Sequence, residues 1–533
     1  MQPHQFVLTL AWLPIFTEAA RILAFFPLPL KSHQFVFQPL LRGLAQKGHH
    51  ITYVTGIEMK DKVKNIEEVL IGDIMSEDDN QLAVDPYSFR HDDAFKISIF
   101  HWGFGLKMTE AILTNPIVQK FLRRKNVKYD VIISEITFSQ EPFIALGNLF
   151  DAPVIDFSSQ CGTHYVHDVL FNPTLFSYVT DYRSPYSDRM SLYERLHNTL
   201  LGLFQIYGTY WYAFPREEAL MNAYFNDSLP RGTSLKTLLH ENIAASIFNS
   251  DPVLGYPRPM FPQSIEVGGI SVHPRKPLPK ELQKFMDEAK SGVIYFSFGS
   301  ILAGEKMPSK QKAYFVEAFK QLDQKVIWKY EGALDIELPP NVLLQKWLPQ
   351  GDILAHPNCR IFITHCGYLS LVETVDRGIP IIGIPFFADQ PRNCHMAQEK
   401  GFGVHLNFDD LTPEIIVDTV NKILKNKSYS DSAKRISSIF KDRLVSPVDK
   451  AVHLVEYVIR HGGNPSSQTG AKELWWFQYF LLDVTAIIIF SVLVFFMSIY
   501  KICRVIFSLL TCNSSKKAIS TSRTQNKMSK KVK

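Results

Sequence analysis

The sequence predicts an α/β protein with two doubly wound parallel sheets, followed by a single helix that crosses a membrane. Short apolar strands alternate with helical patterns near the amino terminus, and the alternation returns over residues 281–460. Such alternation is typical of parallel sheets that are covered by helices on both faces. Residues 474–500 are almost continuously apolar, which is long enough to span a bilayer. A chain of 533 residues is also long enough to bury two separate cores.

The net charge of +5 does not describe the body of the chain, because residues 501–533 contain nine Lys or Arg and no acid. The first 500 residues carry 48 basic and 52 acidic side chains, which argues against a nucleic-acid-binding surface. The six cysteines show neither metal-ligand spacing nor the density of a disulfide-rich protein. We expect Cys161, Cys359, Cys366 and Cys394 to be free and buried, although their pairing stays open.

Residues 1–20 are predicted to be a cleaved signal peptide. An apolar run at 6–16 is followed by the small residues Thr17 and Ala19, which suit signal-peptidase cleavage. A first core helix is the alternative, but the proline within the run and the charge of Arg21 disfavour it.

The first βα unit is predicted from strands at Arg21–Phe26 and 51–55 with a helix between them. Ser32 is the expected N-cap of this helix, and Gly48 is expected to end it. Pro39 predicts a kink or a break near the first turn.

Polar residues are expected where the first strands end, at the edge of an open sheet where ligands lie. His33 follows the first strand, and a strand at 129–133 ends at Ser134 and Glu135. From the residues alone, His33 is more typical of a capping or solvated histidine than of a catalytic one, and Glu135 of a surface acid. Asp130 is an alternative carboxylate, although it precedes the buried run.

Residues 60–93 are polar and are predicted to form loops and short helices. Their acidic clusters at 78–79 and 91–93 lack further ligands at defined spacing and are interpreted as solvated charge, not as a metal site. Residues 97–122 have helical periodicity with many aromatics, which fits a core helix and the wall of an apolar acceptor pocket equally well.

Residues 200–225 are strongly aromatic, and buried helices explain most of this composition. A surface patch that enters a bilayer, through which lipophilic molecules would arrive, is the alternative. Asn226 and Asn426 begin glycosylation sequons, whereas the sequon at Asn513 lies beyond the predicted membrane span and is expected to stay unmodified.

A second domain at 281–460 follows a charged, proline-rich linker at 271–280. Its predicted strands are Val293–Ser297, 326–330, Val342–Gln345, 361–364 and 381–384, and its predicted helices include 310–322 and 413–424.

Residues 347–390 have the features of a nucleotide-binding edge. The buried strand at 361–364 passes through a tight turn at 365–367 into a helix at 368–376. A helix that opens after a buried strand points unpaired N–H groups and a positive dipole end above the sheet, which suits a phosphate.

Several side chains near this turn can contact a nucleotide diphosphate with a polar group on its far end. Gly367 lets the backbone approach an anion, and Ser370 adds a hydroxyl. Glu373 lies one turn later, where it can accept hydrogen bonds from ribose hydroxyls. Asp389 and Gln390 follow the next strand, at the same edge of the sheet.

Two further positions suit the base and the phosphates. The Trp347 indole can stack on a flat base such as uracil, with Gln350 beside the base or the ribose, although Trp347 also fits a core position. Ser300 ends the first strand of this domain, so its backbone can face the diphosphate.

The segment resembles the signature of the UDP-glycosyltransferases, the family that contains the animal UDP-glucuronosyltransferases. The residues that carry this resemblance are Trp347, Pro349, Gln350, His365, Gly367, Ser370, Glu373, Gly378, Pro380, Pro385, Asp389 and Gln390. A pattern of this length with fixed gaps is highly specific. Many family members have Asn where this chain has Leu369, which removes a candidate hydrogen bond to the phosphates and is closer to the arthropod branch than to the vertebrate one.

The resemblance implies the GT-B architecture, in which two Rossmann-like domains face each other across a cleft. The acceptor domain would span 21–270 and the UDP-sugar domain 281–460. The residues around His33 are similar to the family's first βα unit, in which this histidine is the catalytic base. Its usual Asp partner is replaced by Glu135, which is one methylene longer and can still orient the imidazole.

The resemblance also assigns roles on the donor side. Ser300, His365 and Ser370 would stabilise the departing diphosphate together with helix N-terminal amides, so no metal is required. Asp389 and Gln390 would hold sugar hydroxyls. No cofactor is expected beyond the UDP-sugar itself, which is a co-substrate.

The implied reaction is inverting transfer of a hexose to a small lipophilic alcohol, phenol or acid, in detoxification or in conjugation of endogenous metabolites. The arthropod-like motif favours glucose, and glucuronate stays open because no cationic partner for its carboxylate is evident.

The competing class is a membrane-anchored binding protein without turnover, favoured by Glu135 and Leu369 and opposed by His33, Asp389 and Gln390. A nucleotide-dependent oxidoreductase is disfavoured because no GxGxxG turn follows the first strand. Formation of a homo-oligomer is left open.

The carboxyl-terminal span predicts the location of the chain. Paired tryptophans precede residues 474–500, whereas Lys501 and Arg504 follow them, so the positive-inside rule places 501–533 in the cytosol. The last four residues, KKVK, resemble the dilysine signal that returns membrane proteins to the endoplasmic reticulum. We therefore expect a single-pass type I protein of that membrane, with both domains in the lumen.

Overall fold

The computed structural model describes residues 19–72, 74, 85–124, 126–136, 138–463 and 469–529. The chain divides into two units, residues 1–468 and 469–533, and the site lies in the first of them. The first 18 residues of the predicted signal peptide, the acidic pair at 78–79, the KKVK end and the side chain of Asn513 lie outside the described part of the chain.

The first half of the larger unit is built on a seven-stranded parallel sheet. Its strands are β1 Arg21–Phe26, β2 His50–Thr55, β3 Ile66–Leu70, β4 Val131–Ser134, β5 Val154–Ser158, β6 Ile243–Phe248 and β7 Ser264–Glu266. The strand order is β3-β2-β1-β4-β5-β6-β7, so the order reverses between β1 and β4. Ligands are expected at such a switch point, outside the carboxyl ends of the strands.

Helices cover both faces of this sheet. They are α1 Lys31–Gln46, α2 Ala94–Thr114, α3 Pro116–Leu122, α4 Leu146–Phe150, α5 His164–Val169, α6 Leu192–Gly208, α7 Phe214–Phe225 and α8 Leu235–Asn242. A π turn at Thr209–Ala213 joins α6 to α7 without a break.

The second half is built on a six-stranded parallel sheet. Its strands are β8 Val293–Ser297, β9 Lys325–Lys329, β10 Val342–Gln345, β11 Cys359–Thr364, β12 Ile381–Gly383 and β13 Gly403–His405, in the order β10-β9-β8-β11-β12-β13. Its helices are α9 Lys280–Asp287, α10 Ser309–Lys320, α11 Gln350–Leu354, α12 Tyr368–Arg377, α13 Gln390–Glu399, α14 Pro413–Lys425, α15 Ser428–Lys441 and α16 Pro447–His461. The five strands predicted for this half are present within two residues of their predicted bounds.

Each sheet has one apolar cluster on either face. The last helix of the unit, α16, does not pack on the second sheet. Its Ala451, Val452 and Val455 join the cluster formed by α1 and the first sheet. The last helix of the unit therefore packs on the half that contains the first strand. The predicted α/β fold class is confirmed.

The first helix differs from the prediction at its start. It begins at Lys31 after Leu30, with no side-chain cap, so Ser32 lies inside the helix and is not its N-cap. Pro39 is accommodated in a continuous helix, because it removes only one backbone hydrogen bond. Gly48 ends the turn as predicted: its φ is 96°, and its N–H donates to Ala45 O at 3.0 Å.

Two other local predictions were incomplete. The polar segment at 60–93 contains the edge strand β3, whose residues are only partly buried. The helical pattern at 97–122 is divided at Asn115, whose side chain accepts from Ile117 N and Val118 N and caps α3.

The smaller unit contains a helix that is long and apolar enough to cross a membrane. After the short helix α17, Trp476–Tyr479, helix α18 runs over Leu482–Ser529, and its part from Leu482 to Thr511 meets the requirement for a span. The helix therefore starts eight residues later than predicted, because Leu481 has a φ of 53° and interrupts it.

Candidate active site

The structure brings His33 and Glu135 into direct contact. Nδ1 of His33 lies 2.7 Å from Oε2 of Glu135, and the two residues are 8% and 4% exposed. His33 stands in the first turn of α1, and Glu135 directly follows β4, which pairs with β1. The alternative carboxylate, Asp130, lies at the opposite edge of the sheet and accepts from Arg21 N at 2.7 Å.

A third residue, Ser159, completes this arrangement and was not found from the sequence. Its N–H donates to Oε1 of Glu135 at 2.9 Å, and its hydroxyl oxygen lies 3.1 Å from Nδ1 of His33. Ser159 follows β5, which pairs with β4. The signal was its position at the end of a neighbouring strand, but a serine there is too common to single out.

Aromatic rings lie beside His33. The ring centroid of Phe138 is 5.7 Å from that of His33 and 5.5 Å from that of His101 on α2. Phe104 of the same helix also contacts Phe138, at 6.5 Å. Towards its other end, α2 buries Met108 and its neighbours in the core of the sheet. The end of α2 near Phe104 therefore lies beside His33, as a pocket wall would, and the end near Met108 belongs to the core.

His101 is kept neutral. Burial lowers the pKa of His101 to about 3, and the positive charge of Arg183 acts in the same direction. Arg183 itself is neutralised by Asp181, whose Oδ1 lies 3.0 Å from its Nε. Aromatic rings and a neutral imidazole thus lie on one side of His33, and such groups suit contact with an apolar ligand.

The turn after β11 is built around the His365 ring. A Cβ on Gly299 would lie 2.7 Å from this ring and a Cβ on Gly367 2.5 Å from it, so both positions require glycine. The approach of an anion was the predicted reason for Gly367, and the structure adds this packing reason. Burial lowers the pKa of His365 to about 4, helped by Lys329, so the imidazole is neutral at physiological pH.

Gln350, Ser370 and Glu373 form one hydrogen-bonded group on α11 and α12. The Gln350 amide donates to Ser370 Oγ at 3.1 Å and to Glu373 Oε2 at 2.6 Å. Burial raises the pKa of the Glu373 carboxyl, and the Gln350 hydrogen bond opposes this shift. The residues predicted to contact a ribose are therefore adjacent and oriented by one another.

Asp389 and Gln390 are fixed by the backbone around them. Oδ2 of Asp389 accepts from Tyr368 N, the first amide of α12, at 3.0 Å and from Asn393 Nδ2 at 2.6 Å. Oε1 of Gln390 accepts from Phe386 N at 2.9 Å. The pKa of the Asp389 carboxyl is raised by burial. Asp389 thus contacts the N-terminus of α12, and Gln390 next to it is bound to the backbone that follows β12.

Trp347 and Ser300 are the exposed members of the predicted site. The Trp347 side chain is 51% exposed, and Nζ of Lys60 from the first half lies 5.2 Å from its ring centroid. Ser300 follows β8, and Lys329 donates from Nζ to Gly299 O at 2.7 Å beside it. Lys329, which also pairs with Glu331, is a positive charge near the predicted diphosphate position that sequence analysis missed.

The first half reaches the donor-side loop through Tyr87 and Arg90. Tyr87 is fully buried among aromatic residues of the second half, 5.2 Å from Phe386 between ring centroids, and its hydroxyl donates to Ala303 O at 3.3 Å. Arg90 forms a forked ion pair with Asp409 at 2.8 to 3.1 Å. Because Phe386 immediately precedes the loop of Asp389, this contact links the first half of the unit to that loop.

Among the described residues, no three His, Cys, Asp or Glu side chains gather into a metal-ligating group. In the described part of the chain, Cys161, Cys359, Cys366, Cys394 and Cys503 are free thiols, whereas the sequence had left pairing among the first four open. Cys359, Cys366 and Cys394 are buried, and Cys161 is only partly buried.

Residues 31–517 match the model of a protein family described as UDP-glucoronosyl and UDP-glucosyl transferase. UDP-glycosyltransferase UGT5 of Dactylopius coccus is 34% identical to this chain, with 90% of each chain covered. UDP-glucosyltransferase 2 of the same insect is 33% identical (92% and 93% covered). UDP-glucuronosyltransferase 1A8 of Rattus norvegicus is 30% identical (92% of each covered).

Solved structures show the same fold. Os79 from O. sativa, in complex with U2F and trichothecene, superposes with a TM-score of 0.57 at 15% identity and covers 82% of this chain and 100% of its own. UDP-glucose: anthocyanidin 3-O-glucosyltransferase in complex with UDP gives a TM-score of 0.55 at 18% identity, with 83% and 99% covered. The two-sheet architecture is therefore the GT-B fold.

Proposed function

The chain belongs to the UDP-glucuronosyl and UDP-glucosyl transferase family, and from this premise we propose that it transfers glucose from UDP-glucose to a small lipophilic alcohol, phenol or acid. The observation that carries the proposal is the buried contact of His33 with Glu135, which lies at the switch point of the first sheet beside aromatic rings. A base held by a carboxylate at that place suits removal of a proton from an incoming acceptor.

In the proposed reaction, the Nδ1–H of His33 donates to Glu135, which leaves Nε2 unprotonated and able to accept a proton. Nε2 takes the proton of the acceptor hydroxyl while that oxygen attacks the anomeric carbon of the sugar. The bond from that carbon to the UDP oxygen breaks, and UDP leaves on the opposite face with the bonding electrons. This single displacement inverts the anomeric centre.

Leaving-group stabilisation is assigned to the N-terminus of α12, where the helix dipole favours negative charge. Ser370 adds a hydroxyl, and Lys329 a positive charge. The neutral imidazole of His365 can donate one hydrogen bond without a net charge of its own. These groups are preorganised by the packing of the turn, which is the form of stabilisation that costs least reorganisation during the reaction.

The rest of the donor is assigned to side chains that the structure groups at the same edge. Uracil would stack on the exposed Trp347 ring, and the ribose would contact Gln350 and Glu373. The sugar hydroxyls would contact Asp389, which accepts from the first amide of α12, and Gln390 next to it. Glucose is favoured because the donor motif is arthropod-like and because a relative at 33% identity is named a UDP-glucosyltransferase.

The deciding experiment measures turnover by microsomes that contain the full chain, with a simple phenol as acceptor. UDP-glucose and UDP-glucuronate are compared side by side, with and without His33→Ala. We expect turnover with UDP-glucose and its loss in the variant. Turnover with UDP-glucuronate alone would replace the proposed sugar, and activity that survives His33→Ala would refute the base. UDP binding without turnover for either donor across a broad acceptor panel would favour the competing binding protein.

We also propose that the larger unit lies in the lumen of the endoplasmic reticulum and that helix α18 anchors it in the membrane. The support is the basic segment after the span and the two sequons at Asn226 and Asn426, whose side chains are exposed. Digestion with an N-glycosidase should lower the apparent mass of the wild-type chain. Loss of that shift in an Asn226→Gln, Asn426→Gln variant would confirm the orientation, and no shift in the wild type would contradict it.

An exposed apolar stripe runs along α6 and the π turn and begins before the aromatic segment at 200–225. Its members are Leu192, Leu196, Leu200, Leu203, Tyr207 and Trp211, the last being 76% exposed. Their spacing of three or four residues places them on one helical face. We propose that this stripe touches the bilayer surface and supplies lipophilic acceptors. Changing Leu196 and Trp211 to serine should raise the KM for an apolar phenol but not the KM for UDP-glucose. A KM for the phenol that is the same in the variant and in the wild type would refute the role.

A further inference from the structure

We propose that Ser159 is a positioning residue for His33 and that its backbone N–H fixes the length that the carboxylate side chain at position 135 must have. This inference rests on the proposed function, because it assigns the way in which the base is held. The position of Ser159 explains how Glu135 can occupy a place at which the resemblance to the family predicts an Asp.

The Glu135 carboxylate is held at both of its oxygens. Oε2 contacts Nδ1 of His33 at 2.7 Å, and Oε1 accepts from Ser159 N at 2.9 Å. A carboxylate that accepts one hydrogen bond at each oxygen cannot rotate without losing one of them. The plane of the carboxylate, and with it the direction in which His33 donates, is therefore set by the backbone of Ser159.

The Ser159 hydroxyl contacts the imidazole separately. Its oxygen lies 3.1 Å from Nδ1 and 3.4 Å from Nε2 of His33, so it contacts the ring beside both nitrogens. Rotation of the imidazole would change both distances, so the hydroxyl restricts the position of the ring.

Ser159 is itself fixed by the next strand. Asn249, which follows β6, donates from Nδ2 to Ser159 O at 3.0 Å and from its backbone N to Ser158 O at 3.0 Å. Both serines and Asn249 are buried. Because β5 and β6 pair in register up to Ser158 and Phe248, the position of Ser159 follows from the sheet and not from a loop.

The length requirement follows from these fixed points. Asp at position 135 would be shorter by one carbon–carbon bond, about 1.5 Å. Since the His33 ring and the Ser159 amide are held by different elements, a carboxylate withdrawn by that distance cannot keep both hydrogen bonds. The chain is therefore expected to need Glu at this position, although Asp would be the conservative choice by charge.

The test compares four variants of the full chain in microsomes: Ser159→Ala, Ser159→Thr, Glu135→Asp and, as the matched control, Ser158→Ala. The neighbouring Ser158 is equally buried, but its hydroxyl accepts from Gln160 N, whereas the hydroxyl of Ser159 contacts the imidazole. We expect Ser159→Ala to lower kcat about tenfold, the effect of one lost positioning hydrogen bond, with the KM values for donor and acceptor within twofold. Ser159→Thr should keep kcat within threefold of wild type, and Glu135→Asp should lower it by more than Ser159→Ala.

The proposal is overturned if Ser159→Ala retains wild-type kcat, if Ser159→Thr loses as much as Ser159→Ala, if Ser158→Ala has the same effect, or if Glu135→Asp is fully active. Failure of the proposed function is distinguishable, because the wild-type chain would then show no turnover with any donor. In that case, experimental structures of the full chain and of Ser159→Ala decide the matter. Displacement of the His33 ring in the variant supports the positioning role, and an unchanged ring refutes it.

Discussion

Replacing Glu135 by Gln tests whether the negative charge beside His33 drives the proposed reaction. The side chain keeps its length and one oxygen, so the packing around it is preserved. What is lost is the attraction between the carboxylate and the imidazolium that forms when Nε2 accepts the acceptor proton. Both groups are almost fully buried, and their nearest atoms are 2.7 Å apart.

The size of the loss follows from the charges. Two unit charges about 4 Å apart in a medium of effective dielectric constant ~20 attract each other by about 4 kcal/mol. The amide oxygen of Gln retains part of this interaction, so we expect a loss of about 2–4 kcal/mol, which corresponds to a 30- to 1,000-fold lower kcat. An amide that turns its NH₂ group towards Nδ1 would also favour the wrong tautomer of His33, which adds to the loss.

The assay measures kcat with saturating UDP-glucose and phenol, together with the Kd for UDP from calorimetry. The Kd should be unchanged, because Glu135 lies on the acceptor side. Glu218→Gln is the matched control, since that carboxylate accepts from Leu235 N at 2.8 Å and serves only the start of α8. In a His33→Ala background, Glu135→Gln should have no further effect beyond twofold. A kcat of Glu135→Gln within threefold of wild type would refute the reasoning. So would a double variant, Glu135→Gln with His33→Ala, in which the two losses of kcat multiply.

Three further outcomes are expected. Trp347→Ala should weaken UDP binding about 5- to 150-fold, the effect of one lost stacking contact, whereas the control Trp211→Ala should leave the Kd for UDP unchanged. If calorimetry gives Trp347→Ala the Kd of the wild type, the assigned uracil position is contradicted. Burial raises the pKa of Glu217, which is paired with the buried carboxyl of Glu141, so above about pH 4.5 the folded state holds a proton that the unfolded state has lost, and stability should fall as the pH rises. Glu217→Gln should therefore lessen the decrease of Tm between pH 5 and 8, and an unaltered decrease would exclude this carboxyl as its cause. Tyr87→Ala should lower the free energy of unfolding by about 3 kcal/mol, because it leaves a cavity in the aromatic core of the second half. A Tm within about 1 °C of wild type would show that Tyr87 does not form this contact.

Strands with buried apolar runs were predictable because their sequence signal is local. β1, β8 and β10 have the predicted bounds. The buried strands β5 and β6 were not predicted, because short apolar runs of this kind do not distinguish a strand from a buried helix. The edge strands β3, β7 and β13 were not predicted either, since short and partly exposed strands are defined by the neighbour with which they pair. For the same reason no sequence pattern shows that α16 returns to the first sheet.

The site was predictable as a set of strand ends but not as a set of contacts. Placing His33 after β1 and Glu135 after β4 was enough to expect them at one edge, because the carboxyl ends of parallel strands meet there. Ser159 was invisible, because its role depends on a backbone N–H that every residue has. Likewise, the reason why Gly299 and Gly367 must be glycine depends on where the His365 ring packs.

The two departures from the family pattern, Glu135 and Leu369, were the arguments for a binding protein without turnover, and each loses its force for a physical reason. The added methylene of Glu135 is taken up by the hydrogen bond to Ser159 N, so the contact with His33 is kept. Leu369 packs against the apolar cluster that α1 and α16 form with the first sheet, so an apolar contact between the two halves of the unit replaces a polar group. Because a helix N-terminus offers several amides to an anion, the loss of one side-chain donor removes only a part of the hydrogen bonds that α12 can give to a diphosphate. Neither departure therefore removes a group that the proposed transfer requires.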